Sequence, residues 1–86
     1  PEDWARAVDY FHGRCAYCDT DKDRIDQEHF IPVDMQGTYT RDNIVPACRR
    51  CNKLKSNKHP MEWLIVRPLG LVTYARILSY FETVRV

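Results

Sequence analysis

The sequence predicts a small α+β domain, and three observations carry that prediction. Two Cys-x-x-Cys pairs, Cys15/Cys18 and Cys48/Cys51, bracket residues 19–47. Inside the bracket lie two short β-prone runs, and on both sides of it apolar residues recur at helical spacing.

Each element follows from local chemistry. Glu2 and Asp3 suit a helix's first turn, Trp4, Ala7, Val8 and Phe11 repeat at helical spacing, and Gly13 can close the end, so residues 2–12 are expected to be helical. Cys15-Ala16-Tyr17-Cys18 forms a tight turn, and the polar run Asp19 to Arg24 reads as a loop. Its alternating aspartates resemble a calcium loop, but Arg24 stands where that loop needs Gly and Phe30 where it needs the final Glu. Ile25 to Phe30 is a short strand stopped by Pro32, and Gln36-Gly37 marks a loop. Asn43-Ile44-Val45-Pro46 is the return strand. Arg49 to Asn57 contains no Gly or Pro and many good helix formers, so a helix begins near the second cysteine pair. Pro60 opens another short helix carrying Met61, Leu64 and Ile65, which Pro68 and Gly70 end. Leu71, Tyr74, Ala75, Leu78 and Phe81 mark the apolar face of a last helix. No repeat or linker divides the chain, so residues 1–86 read as one domain with its core at about residues 10–60.

With 86 residues, 44% of them hydrophobic, the chain is globular but its core is small. Such a core contributes on the order of 3 to 5 kcal/mol, so a staple is expected. Four thiolates from two Cys-x-x-Cys turns suit a tetrahedral Zn²⁺. The competing reading is two disulfides, which belong to oxidising compartments, and no signal segment opens the chain. Structural zinc on Cys15, Cys18, Cys48 and Cys51 is therefore expected. A Cys₄ zinc has no open coordination position, so it stabilises rather than catalyses. The stretch between the pairs exceeds the about 15 to 20 residues of simple zinc modules, which leaves room for a separate site.

No apolar run reaches the roughly 18 residues a membrane span needs, so a soluble, intracellular (cytoplasmic) protein without a membrane partner is expected. Pro1 in place of an initiator Met points to a processed product or a piece excised from a longer protein, and an additional domain in the full-length chain is expected. The net charge of +1 does not by itself imply nucleic-acid binding. Its distribution says more: Arg41, Arg49, Arg50, Lys53, Lys55 and Lys58 face only Asp42 between residues 41 and 58. A solvated helix face is the plain explanation, and the basic cluster gains weight from what lies beside it.

Beside it lies Glu28-His29-x-x-Pro32, followed by Asn43-Ile44-Val45 and then Cys48-x-x-Cys51-Asn52-x-x-Lys55. In order, spacing and flanking cysteine pairs this closely resembles the HNH endonuclease family over about residues 10–60. The resemblance implies a zinc-stapled ββα-metal domain, here with additional flanking helices, that cuts DNA. It implies that His29 is the general base for the attacking water, that Glu28 and Asn52 hold a single divalent metal, and that Asn43 holds the hairpin in shape and so aims His29. The chemistry agrees: imidazole has an ordinary pKa of about 6.5, suited to a base at neutral pH. Mg²⁺ or Mn²⁺ takes oxygen ligands, and a metal at the scissile phosphate and leaving 3′-oxygen implies 5′-phosphate and 3′-hydroxyl products. Restriction of foreign DNA, mobile-element cutting and phage DNA processing all fit such a nuclease. Phosphate contacts are expected from Arg49, Arg50, Lys53, Lys55 and Lys58, with Lys55 on the same helical face as Asn52.

Two departures from the family pattern stand out. Glu28 occupies a position where Asp is commoner, and Met35-Gln36-Gly37 replaces a common Gly-Gly pair. A further tension is geometric, since Glu28 and His29 would face opposite sides of a regular strand, so the strand must bend or end there. The runner-up reading is a non-catalytic zinc module that binds nucleic acid or protein. A third is an interaction domain that docks through the last helix.

Overall fold

The computed structural model describes residues 2–85. The first helix, α1, spans Glu2–Tyr10 and buries Ala7, with Phe11 fully buried just beyond it. It is two residues shorter than expected because its closure takes two left-handed residues, His12 (φ 59°) and Gly13 (φ 72°). The Gly13 N–H reaches back to the Val8 carbonyl at 2.8 Å and the His12 N–H to that of Asp9 at 3.1 Å, the pattern of a Schellman cap.

Strands β1 (Ile25–His29) and β2 (Ile44–Cys48) form a two-stranded antiparallel sheet, with Ile25 opposite Cys48 and His29 opposite Ile44. Every residue of β2 is buried, because α1 packs on it and α2 (Arg49–Lys55) lies against both strands. Pro46 is tolerated in β2 since the sheet has only edge strands, and its carbonyl accepts the Ala16 N–H at 2.8 Å. The order strand, strand, helix agrees with the sequence reading.

The polar loop before β1 also has a structural task. Arg49 and Arg50 open α2 at the end where the helix dipole disfavours positive charge. Asp23 offsets this, its Oδ2 accepting the Arg50 N–H at 3.2 Å, while the Arg24 carbonyl accepts the Arg49 N–H at 3.0 Å.

Beyond the bracket, α3 spans Pro60–Leu64 and is capped by His59, whose Nδ1 accepts the Met61 N–H at 3.1 Å. Helix α4 runs Gly70–Val84. Here Gly70 opens a helix instead of ending one. A Cβ at Gly70 would lie 1.7 Å from the Leu64 carbonyl oxygen, so the close approach of α4 to the end of α3 admits only glycine. The expected apolar stripe of α4 was out of phase as well. Leu71 and Leu78 are exposed, and the buried face is Gly70, Ile77, Tyr80, Phe81 and Val84, with Tyr74 half-buried against the core. The expected stripe and the true one share Tyr74 and Phe81, and only the packing against Phe11 and Phe30 selects between them.

The core is aromatic. Phe11, Tyr80 and Phe81 join α1 to α4, and Phe30, directly after β1, meets Tyr17, Tyr74 and Phe81 with ring centroids 5.5 to 6.5 Å apart. No helix among the described residues is long and apolar enough to cross a membrane.

Candidate active site and metal cluster

The four cysteine sulfurs lie within 4.8 Å of one another, and none is bonded to another. Tetrahedral Zn²⁺ with Zn–S bonds of about 2.3 Å needs sulfurs about 3.8 Å apart. The Cys18 and Cys48 sulfurs are 3.7 Å apart, so the donor set fits such an ion. Two backbone N–H groups already point at the sulfurs as they would at thiolates: Tyr17 N–H to Cys15 Sγ and Cys51 N–H to Cys48 Sγ, each at 3.3 Å. The second bond also caps α2, so the cluster and the helix start share an atom. A hydrogen bond from Cys51 pulls the Cys15 thiol down to about 5, while Cys51, holding that proton, is pushed up. The cysteines are thus positioned to bind a metal, and the sulfur set suits zinc.

Below the cluster, β1 ends at His29 and the chain turns at Pro32, which opens a cleft of ≈ 490 Å³. Glu28, His29 and Asn52 line it together, with Pro32, Val33, Asp34, Ser56 and Asn57. The opposite-face problem is thereby eased, because the strand stops at His29. Asn52 enters from α2, half-buried, with its side chain free of hydrogen bonds to the described residues.

His29 is half-buried and stands edge-on to Tyr39, centroids 4.7 Å apart. Asn43 is buried and ties the loop from three directions. Its Oδ1 accepts the Ile31 N–H at 2.8 Å, and its Nδ2 donates to the carbonyls of Ile31 at 3.0 Å and Thr38 at 2.8 Å. The Phe30 N–H also donates to the Asn43 carbonyl at 2.8 Å, so the chain next to His29 is held at successive residues. Gln36 takes the left-handed position of this loop at φ 69°, and a Cβ on Gly37 would sit 1.8 Å from the Ile31 carbonyl oxygen. The second glycine of the family's pair is therefore required here, while the first position tolerates Gln in the left-handed region.

Glu28 is buried. The Tyr17 hydroxyl donates to its Oε2 at 2.7 Å, and the Lys55 ammonium lies 3.3 Å from the same oxygen. Burial pushes the Glu28 carboxyl above its ordinary range, against the pull of Lys55 and the Tyr17 hydroxyl. Burial likewise draws the Lys55 ammonium down, opposed by Glu28, and raises Tyr17 well above a usual phenol. Both protein bonds fall on Oε2, which leaves Oε1 without a donor among the described residues. One carboxylate oxygen and one amide side chain on an open cleft fit a hard cation that keeps several waters.

The basic residues separate into two groups. Arg49, Arg50, Lys53 and Lys58 are exposed, on α2 or just after it. Lys55 does not join them. It is fully buried, its ammonium engaged by Glu28 and donating to the His29 carbonyl at 3.5 Å, so the expected phosphate contact is corrected to an internal ion pair. Sequence reasoning placed Lys55 on the face of Asn52 and was right about the face, but that face points inward.

A family model described as HNH endonuclease matches residues 15–58, just over half of the 86 residues. The chain belongs to the HNH endonuclease family. No curated protein and no solved structure matches it. In this HNH chain the match ends at Lys58, so α3 and α4 lie outside the matched segment and frame it. Tyr17, which bonds Glu28, and Tyr39, which packs on His29, escaped the sequence reading, whereas Lys55 was expected at phosphate and pairs with Glu28 instead. Tyr17 carried a readable signal only in being an aromatic fixed inside the first Cys-x-x-Cys turn. Tyr39 and the cleft-lining Asp34 carried none.

Proposed function

We propose that this HNH domain is a divalent-metal-dependent endonuclease hydrolysing DNA phosphodiester bonds to 5′-phosphate and 3′-hydroxyl ends. The observation that supports it is the cleft in which Glu28 and His29 from β1 meet Asn52 from α2. A zinc module that only binds needs the cysteines and the basic face but no paired acid and imidazole.

In this reading His29 accepts the proton of the attacking water as the water's oxygen bonds to phosphorus and the P–O bond to the 3′-oxygen breaks. Asn43 holds the loop that follows His29, and the Tyr39 ring stands edge-on to the imidazole, so both favour the orientation in which His29 meets the water. Glu28 and Asn52 hold Mg²⁺ or Mn²⁺, which when bound supplies charge stabilisation at the scissile phosphate and the departing oxygen. Arg49, Arg50, Lys53 and Lys58 bind backbone phosphates, which fixes position without reading bases. Zinc on the four cysteines is structural.

One observation favours the alternative of a non-catalytic zinc module binding nucleic acid or protein: Glu28 already has a cationic partner in Lys55. Plasmid nicking separates the two. The parent should nick supercoiled DNA with Mg²⁺ or Mn²⁺, and His29→Ala should lose at least about 10² in rate while keeping DNA affinity and zinc content. A parent that binds DNA but never cuts it, or a His29→Ala variant that cuts at the parent's rate, ends the nuclease reading.

A further inference from the structure

A fully buried lysine is rare, and a buried ion pair gains its desolvation cost back only with good geometry and further hydrogen bonds. Lys55 is such a lysine, and its geometry is specific. It and the Tyr17 hydroxyl converge on one oxygen of Glu28, at 3.3 and 2.7 Å, and neither bonds the other. Tyr17 has little freedom, being buried with its ring against Phe30 and edge-on to Trp63 at 5.0 Å.

Both partners come from the cysteine cluster. Tyr17 sits inside the first Cys-x-x-Cys turn, and Lys55 lies at the far end of the helix that Cys48 caps. About two turns of α2 thus separate Cys48 from Lys55 and about one separates Cys51 from it, while Tyr17 stands between Cys15 and Cys18 themselves. A glutamate has one more rotatable bond than the aspartate commoner at this position, and the two bonds to Oε2 remove the freedom that bond adds.

We propose that Tyr17 and Lys55 are positioning residues that lock the Glu28 carboxylate through Oε2 and present Oε1 to the cleft, so that the cysteine cluster sets the geometry of the divalent-metal site. The inference rests on the proposed nuclease reading. Partners that orient a ligating carboxylate typically contribute 10- to 100-fold to metal affinity or activity. A purely structural pair would alter stability and leave metal affinity alone.

The test is Mn²⁺ binding to the zinc-loaded protein, followed by calorimetry and by the electron paramagnetic resonance of free Mn²⁺. Tyr17→Phe keeps the ring and its packing and removes only the hydroxyl. It should weaken Mn²⁺ binding about 10-fold or more at unchanged zinc stoichiometry, and cleavage should recover as Mn²⁺ is raised. Lys55→Met should weaken it further where it folds, and Tyr17→Phe decides the matter where it does not. Parent-like Mn²⁺ affinity in zinc-loaded Tyr17→Phe overturns the inference and leaves the nuclease reading standing. A parent that holds no Mn²⁺ beside its zinc overturns both.

Discussion

Between Cys15 and Lys58 the strands β1 and β2 and the helix α2 are five to seven residues long, whereas α4 alone runs 15 residues. Elements as short as β1, β2 and α2 do not persist unaided. They are held by polar and sulfur groups: four clustered thiols, the Glu28–Lys55–Tyr17 bonds, and Asn43 bridging the loop. The helical frame of α1 and α4 is held by rings instead, with Phe11, Tyr80 and Phe81 packed at 5.3 to 5.7 Å. The difference teaches how so small a chain can keep an open, polar cleft. Directional bonds fix the cleft residues, and the aromatic burial of the frame meets them through Phe30 and Tyr17.

The comparison breaks most violently at the cluster. Cys48→Ser removes one of the four clustered sulfurs while its hydroxyl can still cap α2, so the loss is that of the metal ligand. Zinc contributes on the order of 10 kcal/mol in small zinc domains, as much as the typical 5–15 kcal/mol total stability of a domain. The variant, and the parent stripped by a strong chelator, should lose their cooperative unfolding transition in circular dichroism. Retention of that transition after complete zinc removal would show that the aromatic frame alone suffices.

Phe30 is the joint between the two regions, touching Tyr17 on one side and Tyr74 and Phe81 on the other. Phe30→Ala should cost about 3 to 5 kcal/mol in urea unfolding. Because the cluster lies on the other side of the joint, the folded fraction should still hold one zinc per chain. Loss of zinc in parallel with stability would mean the two regions are a single cooperative unit.

Within the polar region, Asn43→Ala leaves the Ile31 N–H and the carbonyls of Ile31 and Thr38 without their partner. A cost of about 1 to 3 kcal/mol is expected, with cleavage falling further than the folded fraction because His29 loses its support. In the frame the sign reverses. The Tyr80 hydroxyl is buried without a hydrogen-bond partner among the described residues, so Tyr80→Phe should stabilise by about 1 kcal/mol. A destabilised Tyr80→Phe would reveal a bound water at that hydroxyl.

The same division explains what the sequence disclosed. The cysteine pairs, the two strands and the order strand, strand, helix were legible because each rests on local signals: spacing, β-prone runs, prolines. Glu28, His29, Asn43 and Asn52 were legible as a pattern with a family resemblance. The role of Lys55 was not, because helical spacing tells which residues share a face and never which way the face points. That direction is set by where α2 lies on the sheet, a tertiary fact. Gly70 misled for a similar reason: a glycine after a proline reads as a stop, and only the Leu64 carbonyl beside it reveals a close approach.

The smallest effect is expected where the polar region carries backbone strain. Ser56, the cap of α2, sits at φ 52°, ψ −131°. The Lys58 N–H donates to the Lys55 carbonyl at 3.0 Å, so residues 55–58 form a type II′ turn with Ser56 at the position that glycine dominates. A non-glycine residue there costs about 1 to 3 kcal/mol, of which the greater unfolded-state freedom of glycine offsets roughly 0.4 to 1. Ser56→Gly should therefore stabilise by about 1 kcal/mol, a rise in Tm of about 4–8 °C for a domain of this size. Ser56 and Asn57 also line the cleft with His29, and the turn directly follows Lys55, so a relaxed turn loosens part of the cleft wall. Gains of this kind often come at the expense of activity where a strained segment shapes a site. The expected pair of results is a higher Tm with slower nicking. A Tm at or below the parent's would mean that the serine side chain makes a compensating contact in the cleft, and that the strain belongs to the site rather than to the turn.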